Sequence, residues 1–261
     1  MEAIPVSASL VIIGNEVLSG RTKDANLAYL GAQLAEMGIR MMEVRIVPDI
    51  EDRIIEAVKA LSARYTYVFT TGGIGPTHDD ITAACIAKAF DVRLIRHPEA
   101  MRVLAAHYAA SGAEFNDARK KMAEVPEGAV LVDNPVSKAP GFRIANVYVF
   151  AGIPRVMQAM FESIRHELTK GAPIESRTVS CRLGEGTLAA GLGAVQQRYA
   201  DIDIGSYPYF VAGGFGVSLV LRGTDTDRLQ QAADEVRALI RDLGGEPLEG
   251  EPQRDAPQPA A

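Results

Sequence analysis

Two adjacent carboxylates, Asp79 and Asp80, sit in a glycine-rich run from Thr70 to Thr82 that reads Thr-Thr-Gly-Gly-Ile-Gly-Pro-Thr-His-Asp-Asp-Ile-Thr. An apolar run, Tyr67-Val68-Phe69, precedes it and a helical pattern follows, so the segment is expected to pass from strand through a tight turn into a helix. Glycines let the main chain approach a ligand closely, and the amides of such a turn, with those of the first helical turn, make a cradle for an anion. Thr71, Gly72, Gly73, Gly75, Pro76 and Thr77 are therefore expected to bind phosphate. Beside them, Asp79 and Asp80 are expected to hold a divalent cation (Mg, Mn or Co) and to serve its activation of water. His78 is a further general-base candidate, set against the plain reading of a solvent-exposed loop histidine.

Further acids and turns accompany this run. Glu16 ends Gly14-Asn15-Glu16 and Asp49 ends Val47-Pro48-Asp49, each where a strand is expected to stop. All four acids could then meet on one side of a sheet, Glu16 in a catalytic role, Asp49 on the metal and the ligand, and Gly14 and Asn15 against the ligand. The segment Asn134 to Gly141 holds too many turn formers for a central strand and is expected to be a loop with a purpose, with Ser137, Lys138, Ala139, Pro140 and Gly141 against the ligand. Lys138 would supply a compact positive charge. Gly152-Ile153-Pro154 is the second such junction, with Gly152 and Pro154 as ligand-binding candidates. Ser137 lies in no nucleophile elbow, which argues against a serine hydrolase.

The elements that must position these residues alternate. Strands are expected at Ser7 to Ile13, Ile39 to Val47, Thr66 to Thr71, Ala129 to Val132 and Asn146 to Phe150, with a short one at Arg93 to Ile95. Between them fall helices with one apolar face, such as Leu27, Leu30, Leu34 and Met37 behind a capping Asp24. Others run through Ile54, Val58 and Leu61, from Pro98 to near Gly112, from Phe115 to Ala123, and through Met157, Phe161, Ile164 and Leu168. This order implies parallel strands with crossover helices, and open sheets of that kind bind ligands beyond the strands' carboxyl ends. After Gly171-Ala172-Pro173 the order is β-α-β-β-α, a small α+β module from 172 to 245. The last residues, 246 to 261, are rich in Pro, Glu, Gln and Ala and are expected to be a disordered tail.

Composition narrows the function classes. The 261 residues carry a formal charge of −6, which disfavours a general polyanion binder, so no nucleic acid is expected as partner. In the small module seven Arg stand against nine acids, a net of −2, and Gly184-Glu185-Gly186-Thr187 is not the Gly-x-x-Gly loop of an RNA-clamping module. No apolar run approaches the roughly 18 residues a membrane span needs, and the first residues have no leader pattern. With only two cysteines, Cys85 and Cys181, each expected in a core, the expected setting is cytoplasmic and no membrane partner is expected.

Taken in order, Gly14-Asn15-Glu16, Val47-Pro48-Asp49, Thr71 to Thr82, Ala139-Pro140-Gly141 and Gly152-Ile153-Pro154 resemble the MoaB/Mog family of molybdopterin-binding domains, and more closely its CinA-type branch. The resemblance covers roughly residues 7 to 170, and Ile204-Gly205-Ser206-Tyr207-Pro208 resembles the KH-like domain that follows in that branch. It implies a three-layer α/β/α domain at 1–171 with a mostly parallel sheet, and a small KH-like α+β domain. The implied ligand is molybdopterin or an adenine nucleotide, a small phosphorylated molecule, and the implied state is a dimer or trimer. A metal-dependent nucleotide pyrophosphatase acting on ADP-ribose or FAD is the implied activity. Alternatives are ligand binding without cleavage, an assembly role, or adenylation of molybdopterin. Three departures are visible: Asn15 where the family has Asp, Ser137-Lys138 where it has Gly-Thr, and Ala151-Gly152-Ile153 where it has Pro-Gly-Val. The amidohydrolase domain of full-length members is not expected.

Overall fold

The computed structural model describes residues 6–211 and 214–251, and the chain falls into two compact units that meet at Gly171/Ala172. In the first unit the order is β1 (Ser7–Ile13), α1 (Asn15–Leu18), α2 (Asn26–Glu36), β2 (Arg40–Val47), α3 (Glu51–Ser62), β3 (Tyr67–Thr71) and α4 (Thr82–Ala89). Then come β4 (Leu94–Arg96), α5 (Pro98–Ser111), α6 (Asp117–Lys121), β5 (Glu124–Pro126), β6 (Val130–Val132), β7 (Gly141–Ile144), β8 (Val147–Phe150) and α7 (Pro154–Ile164). Strands β2-β1-β3-β8-β7-β6 form one sheet, parallel from β2 to β8, while β7 runs antiparallel to both of its neighbours.

Alternation along these strands splits the core into two layers. Leu10 and Ile12 of β1, Phe69 of β3 and Phe150 of β8 pack with Leu30 and Leu34 of α2 and with Met157 and Phe161 of α7. Val11 and Ile13, Val68, and Val147 and Val149 face the other way, against Ile54 and Val58 of α3 and Ile86 of α4. Strands buried on both faces are apolar at most positions, with Ser9, Thr70 and Thr71 as buried polar exceptions, which is why these segments read as nearly continuous runs. The result is the expected three-layer α/β/α arrangement with a mostly parallel sheet.

Four details differ from the sequence-based expectation. Strand β4 pairs with β5 in a sheet of its own, because the Pro126 end of β5 suits a two-stranded ribbon and not a central strand. The expected helix from Phe115 to Ala123 shortens to α6, with Asn116 as its cap accepting from the Arg119 amide. Strand β7 is an addition: Gly141, expected as a loop residue, starts it, and a hairpin with Ala145 at φ 49° joins it to β8. Leu27 of α2 is also more exposed than its apolar face suggests.

The second unit has β9 (Glu175–Cys181), α8 (Glu185–Arg198), β10 (Asp203–Val211), β11 (Gly214–Gly223), α9 (Thr226–Asp242) and β12 (Leu248–Glu249). Its antiparallel sheet, β10-β11-β9-β12, packs Val179, Leu219 and Leu221 on Leu188, Leu229, Val236 and Ile240 of its two helices. Residues 246–251 correct the expectation of a disordered tail. The turn at Gly244 returns the chain to β9, where Leu248 pairs with Ser180, Gly250 N donates to the Thr178 carbonyl, and Arg237 binds the Glu249 carboxylate at 2.7 and 3.0 Å. A two-residue strand has no periodicity to detect. Residues 252–261 lie outside the described residues.

Both cysteines are buried and unpaired. Burial pushes the Cys85 thiol up to about 11. The unfolded chain ionises this group first, so its stabilising share is complete below about pH 9 and fades as pH rises towards 11. Native protein is expected to leave both thiols unreacted with a disulfide reagent at pH 8, and urea-unfolded protein to react at both. Rapid labelling of the native chain would contradict the burial.

Candidate functional site

Parallel strands place their following loops at one end of the sheet, and here five loops do so. Strand β6, two antiparallel pairings away from β8, points the same way as β8, so the loop after β6 joins those after β1, β2, β3 and β8. Together they enclose a cavity of about 510 Å³. Gly14 comes from the junction after β1 and Glu16 from the α1 turn that follows it, and Asp49 from the loop after β2. The loop after β3 contributes Gly72, Gly73, Gly75, Pro76, Asp79 and Asp80; that after β6, Ser137 and Ala139; that after β8, Gly152 and Pro154.

The glycine turn folds back onto the start of α4. Gly72 has φ 104°, and a Cβ there would stand 2.1 Å from the Ile13 carbonyl oxygen. At Gly73, φ 68°, a Cβ would meet Thr82 Oγ1 at 2.2 Å. Thr82 closes the turn: its hydroxyl donates to the Gly72 carbonyl and its amide to the Gly73 carbonyl, both at 3.0 Å. That amide is therefore used inside the protein, which narrows the expected anion cradle from turn plus helix to the turn itself. Among the described residues the amides of Gly73, Ile74 and Gly75 donate to nothing.

Thr77 organises the acids. Its amide donates to Asp80 Oδ2 at 2.7 Å, and its hydroxyl lies 2.5 Å from that oxygen and 2.6 Å from Asp79 Oδ1. One proton serves two carboxylates, so at any moment one of them lacks that donor. The Thr77 hydrogen bond, reinforced by the residue's own backbone, holds the Asp79 carboxyl below its usual value, so it is ionised at neutral pH. Lys121 Nζ, on α6, holds the turn from behind through the Thr77 carbonyl at 2.6 Å.

The other expected residues divide. Asp49 Oδ2 accepts from the Asn15 amide at 2.9 Å, which ties the loop after β2 to the start of α1. Asn15, Thr77, Lys138 and Gly141 do not line the cavity, and Lys138 is exposed. Pro140 lines an adjoining cleft of about 80 Å³ with Lys121 and Asp80. Thr71 lines a small side chamber. Sequence reasoning missed Thr22, Met122 and Asn134 as lining residues. Asn134 is 1 % exposed and fully employed. Its Nδ2 donates to Ser137 Oγ and the Ala139 carbonyl, while Oδ1 accepts from the Val136 and Ser137 amides. Asn followed by Pro was the available signal, since that pair initiates turns.

Among the described residues no three His, Cys, Asp or Glu side chains gather as a metal cage. Asp79 and Asp80, sharing Thr77, are a two-carboxylate set. Such a set fits a magnesium-type cation that takes its remaining ligands from water and from phosphate oxygens, and does not fit a closed structural site. Glu16, Asp49, Asp79 and Asp80 all line the cavity, and among the described residues no Lys, Arg or His does.

Residues 9–170 match the family model described as "Probable molybdopterin binding domain", and residues 173–244 the model described as "FAD synthase, middle domain". A protein of Archaeoglobus fulgidus is 33% identical over 233 residues, covering 89% of this chain and 97% of its own. One of Metallosphaera sedula is 32% identical over 259 residues, covering 92% and 96%. The crystal structure of the protein CinA with unknown function from Thermoplasma acidophilum superposes with a TM-score of 0.57 at 30% identity, covering 62% of this chain and 96% of that one. Among the described residues no helix is long and apolar enough to cross a membrane.

Proposed function

The chain belongs to the MoaB/Mog family of molybdopterin-binding domains, in its CinA-type branch, and on that premise we propose that the cavity after β3 binds a phosphorylated pterin or an adenine dinucleotide as its metal complex and, where the ligand is the dinucleotide, hydrolyses its phosphoanhydride. The observation that carries this reading is the lining itself: four carboxylates and unpaired amides, with no cationic side chain among the described residues. An anionic ligand entering alone would meet like charge, whereas a ligand that brings a divalent cation would not. The amides of Gly73, Ile74 and Gly75 would donate to phosphate oxygens. Thr77 orients Asp79 and Asp80, and Asp79 enters the complex already ionised. When bound, the cation supplies charge neutralisation and a more acidic water. The match of residues 173–244 to the FAD synthase middle domain favours a flavin dinucleotide among the substrates to be tried.

Binding without cleavage is the second reading, favoured by Asn15, which cannot neutralise a cation. The two separate in one assay: purified protein with ADP-ribose, FAD or NADH and Mg²⁺, Mn²⁺ or Co²⁺, followed for AMP. AMP release that vanishes with chelator is expected. No product with any metal, alongside a ligand-induced rise in melting temperature, would leave the binding reading.

A further inference from the structure

Beside the main cavity lies a side chamber of about 40 Å³, and two residues lining it carry oxygens that the fold leaves unsatisfied. Asn26 opens α2 and is 3 % exposed; Thr71 ends β3 and is 1 % exposed. Asn26 Nδ2 donates to the Gly152 carbonyl at 2.8 Å, which fixes the amide's orientation and leaves Oδ1 as the remaining acceptor. Neither Asn26 Oδ1 nor Thr71 Oγ1 has a hydrogen-bond partner among the described residues. Buried polar atoms almost always find a partner, so two such oxygens on residues that line one chamber call for a reason. Thr70 Oγ1 and Ser9 Oγ are also unpartnered, but they line neither cavity. The chamber shares Ile13, Glu16, Thr22, Gly152 and Pro154 with the main cavity and so communicates with it.

We propose that Asn26 and Thr71 form a polar subsite that accepts hydrogen bonds from an amino or hydroxyl group on the non-phosphate part of the ligand. The chemistry follows from the atoms: Asn26 Oδ1 only accepts, and Thr71 Oγ1 can accept or donate. The chamber is small beside the main cavity, so it is suited to reading an edge while the bulk of the ligand stays in the main cavity. This assignment rests on the reading of the main cavity as a ligand site. It adds a group by which the protein distinguishes ligands with equal phosphate chemistry.

Thr71→Val tests it cleanly. The substitution keeps the β-branched shape within β3 and removes a hydroxyl that makes no hydrogen bond in the protein, so the melting temperature is expected to hold or rise. Wild type, Thr71→Val and Thr71→Ser would be titrated calorimetrically with ADP-ribose and Mg²⁺, and separately with adenine, purine and ribose 5-phosphate. The expected result is affinity at least about 10-fold weaker in Thr71→Val, restored in Thr71→Ser. A response to adenine with none to purine identifies an amino group, and a response to ribose 5-phosphate a hydroxyl. Equal affinity of wild type and Thr71→Val for every probe overturns the subsite while leaving the phosphate reading intact. Thr71-dependent binding of a fragment with no binding of ADP-ribose would sink the phosphate reading alone. A wild type that binds none of the four overturns the subsite as well.

Discussion

Gly72→Ala is expected to destabilise the first unit by about 3 kcal/mol or more, a fall in melting temperature of roughly 6 to 12 °C, and to abolish ligand binding. The new Cβ would lie 2.1 Å from the Ile13 carbonyl oxygen, a rigid backbone atom at the end of β1, at a φ of 104° that side chains rarely adopt. Relief requires the ends of β1 and β3 to part, and those ends carry Gly14 and Gly73, both on the cavity wall. Gly31→Ala is the control: it lies in α2, where a Cβ meets nothing within 4 Å, and should stabilise by about 0.5 to 1 kcal/mol. Thermal melts of the two variants showing the same shift would refute the steric account.

Asp80→Ala is expected to lower AMP release by about 10² to 10³-fold, the range seen when one preorganised polar group is removed from a charge-stabilising site. The carboxylate both lines the cavity and receives the Thr77 amide at 2.7 Å, so alanine removes charge and turn support together. Asp80→Asn separates the two. It retains an acceptor for Thr77 but carries no charge, so a fall in kcat close to that of alanine, with an unchanged melting temperature, is the expected outcome. Recovery of most activity in Asp80→Asn would place the residue's contribution in the turn and not in charge.

The sequence made the parallel half of the fold legible because β1, β3 and β8 are covered on both faces and are therefore apolar along most of their length. It hid β7, because Gly141-Phe142-Arg143-Ile144 is four residues long and begins directly after Pro140, where turn chemistry dominates. In the site, the glycine turn and its two aspartates were readable since the hydrogen bonds that Thr77 and Thr82 make to Asp79, Asp80, Gly72 and Gly73 all fall within thirteen residues. Asn26 was not, because its role depends on a carbonyl 126 positions away. Lys121 was equally silent: what it holds is a backbone oxygen 44 positions upstream. The expectation that Lys138 supplies charge came from its place directly before Ala139-Pro140-Gly141, whereas the structure turns that loop around Asn134 and leaves Lys138 exposed.

The β7–β8 hairpin has a consequence for how the cavity closes. Residues 130 to 150 bring β6, β7 and β8 together through contacts that are local in the chain, with the loop after β6 already in place. Joining that half to the glycine turn depends on β3 pairing with β8, where Val68 meets Val147, 79 positions apart. Loop-closure entropy grows as about (3/2)RT ln n, so this pairing carries roughly 2 kcal/mol more closure cost than a short hairpin. The two walls of the cavity are thus held together by the most sequence-distant strand pair of the first unit, and a ligand spanning both walls would repay that entropy by bridging them.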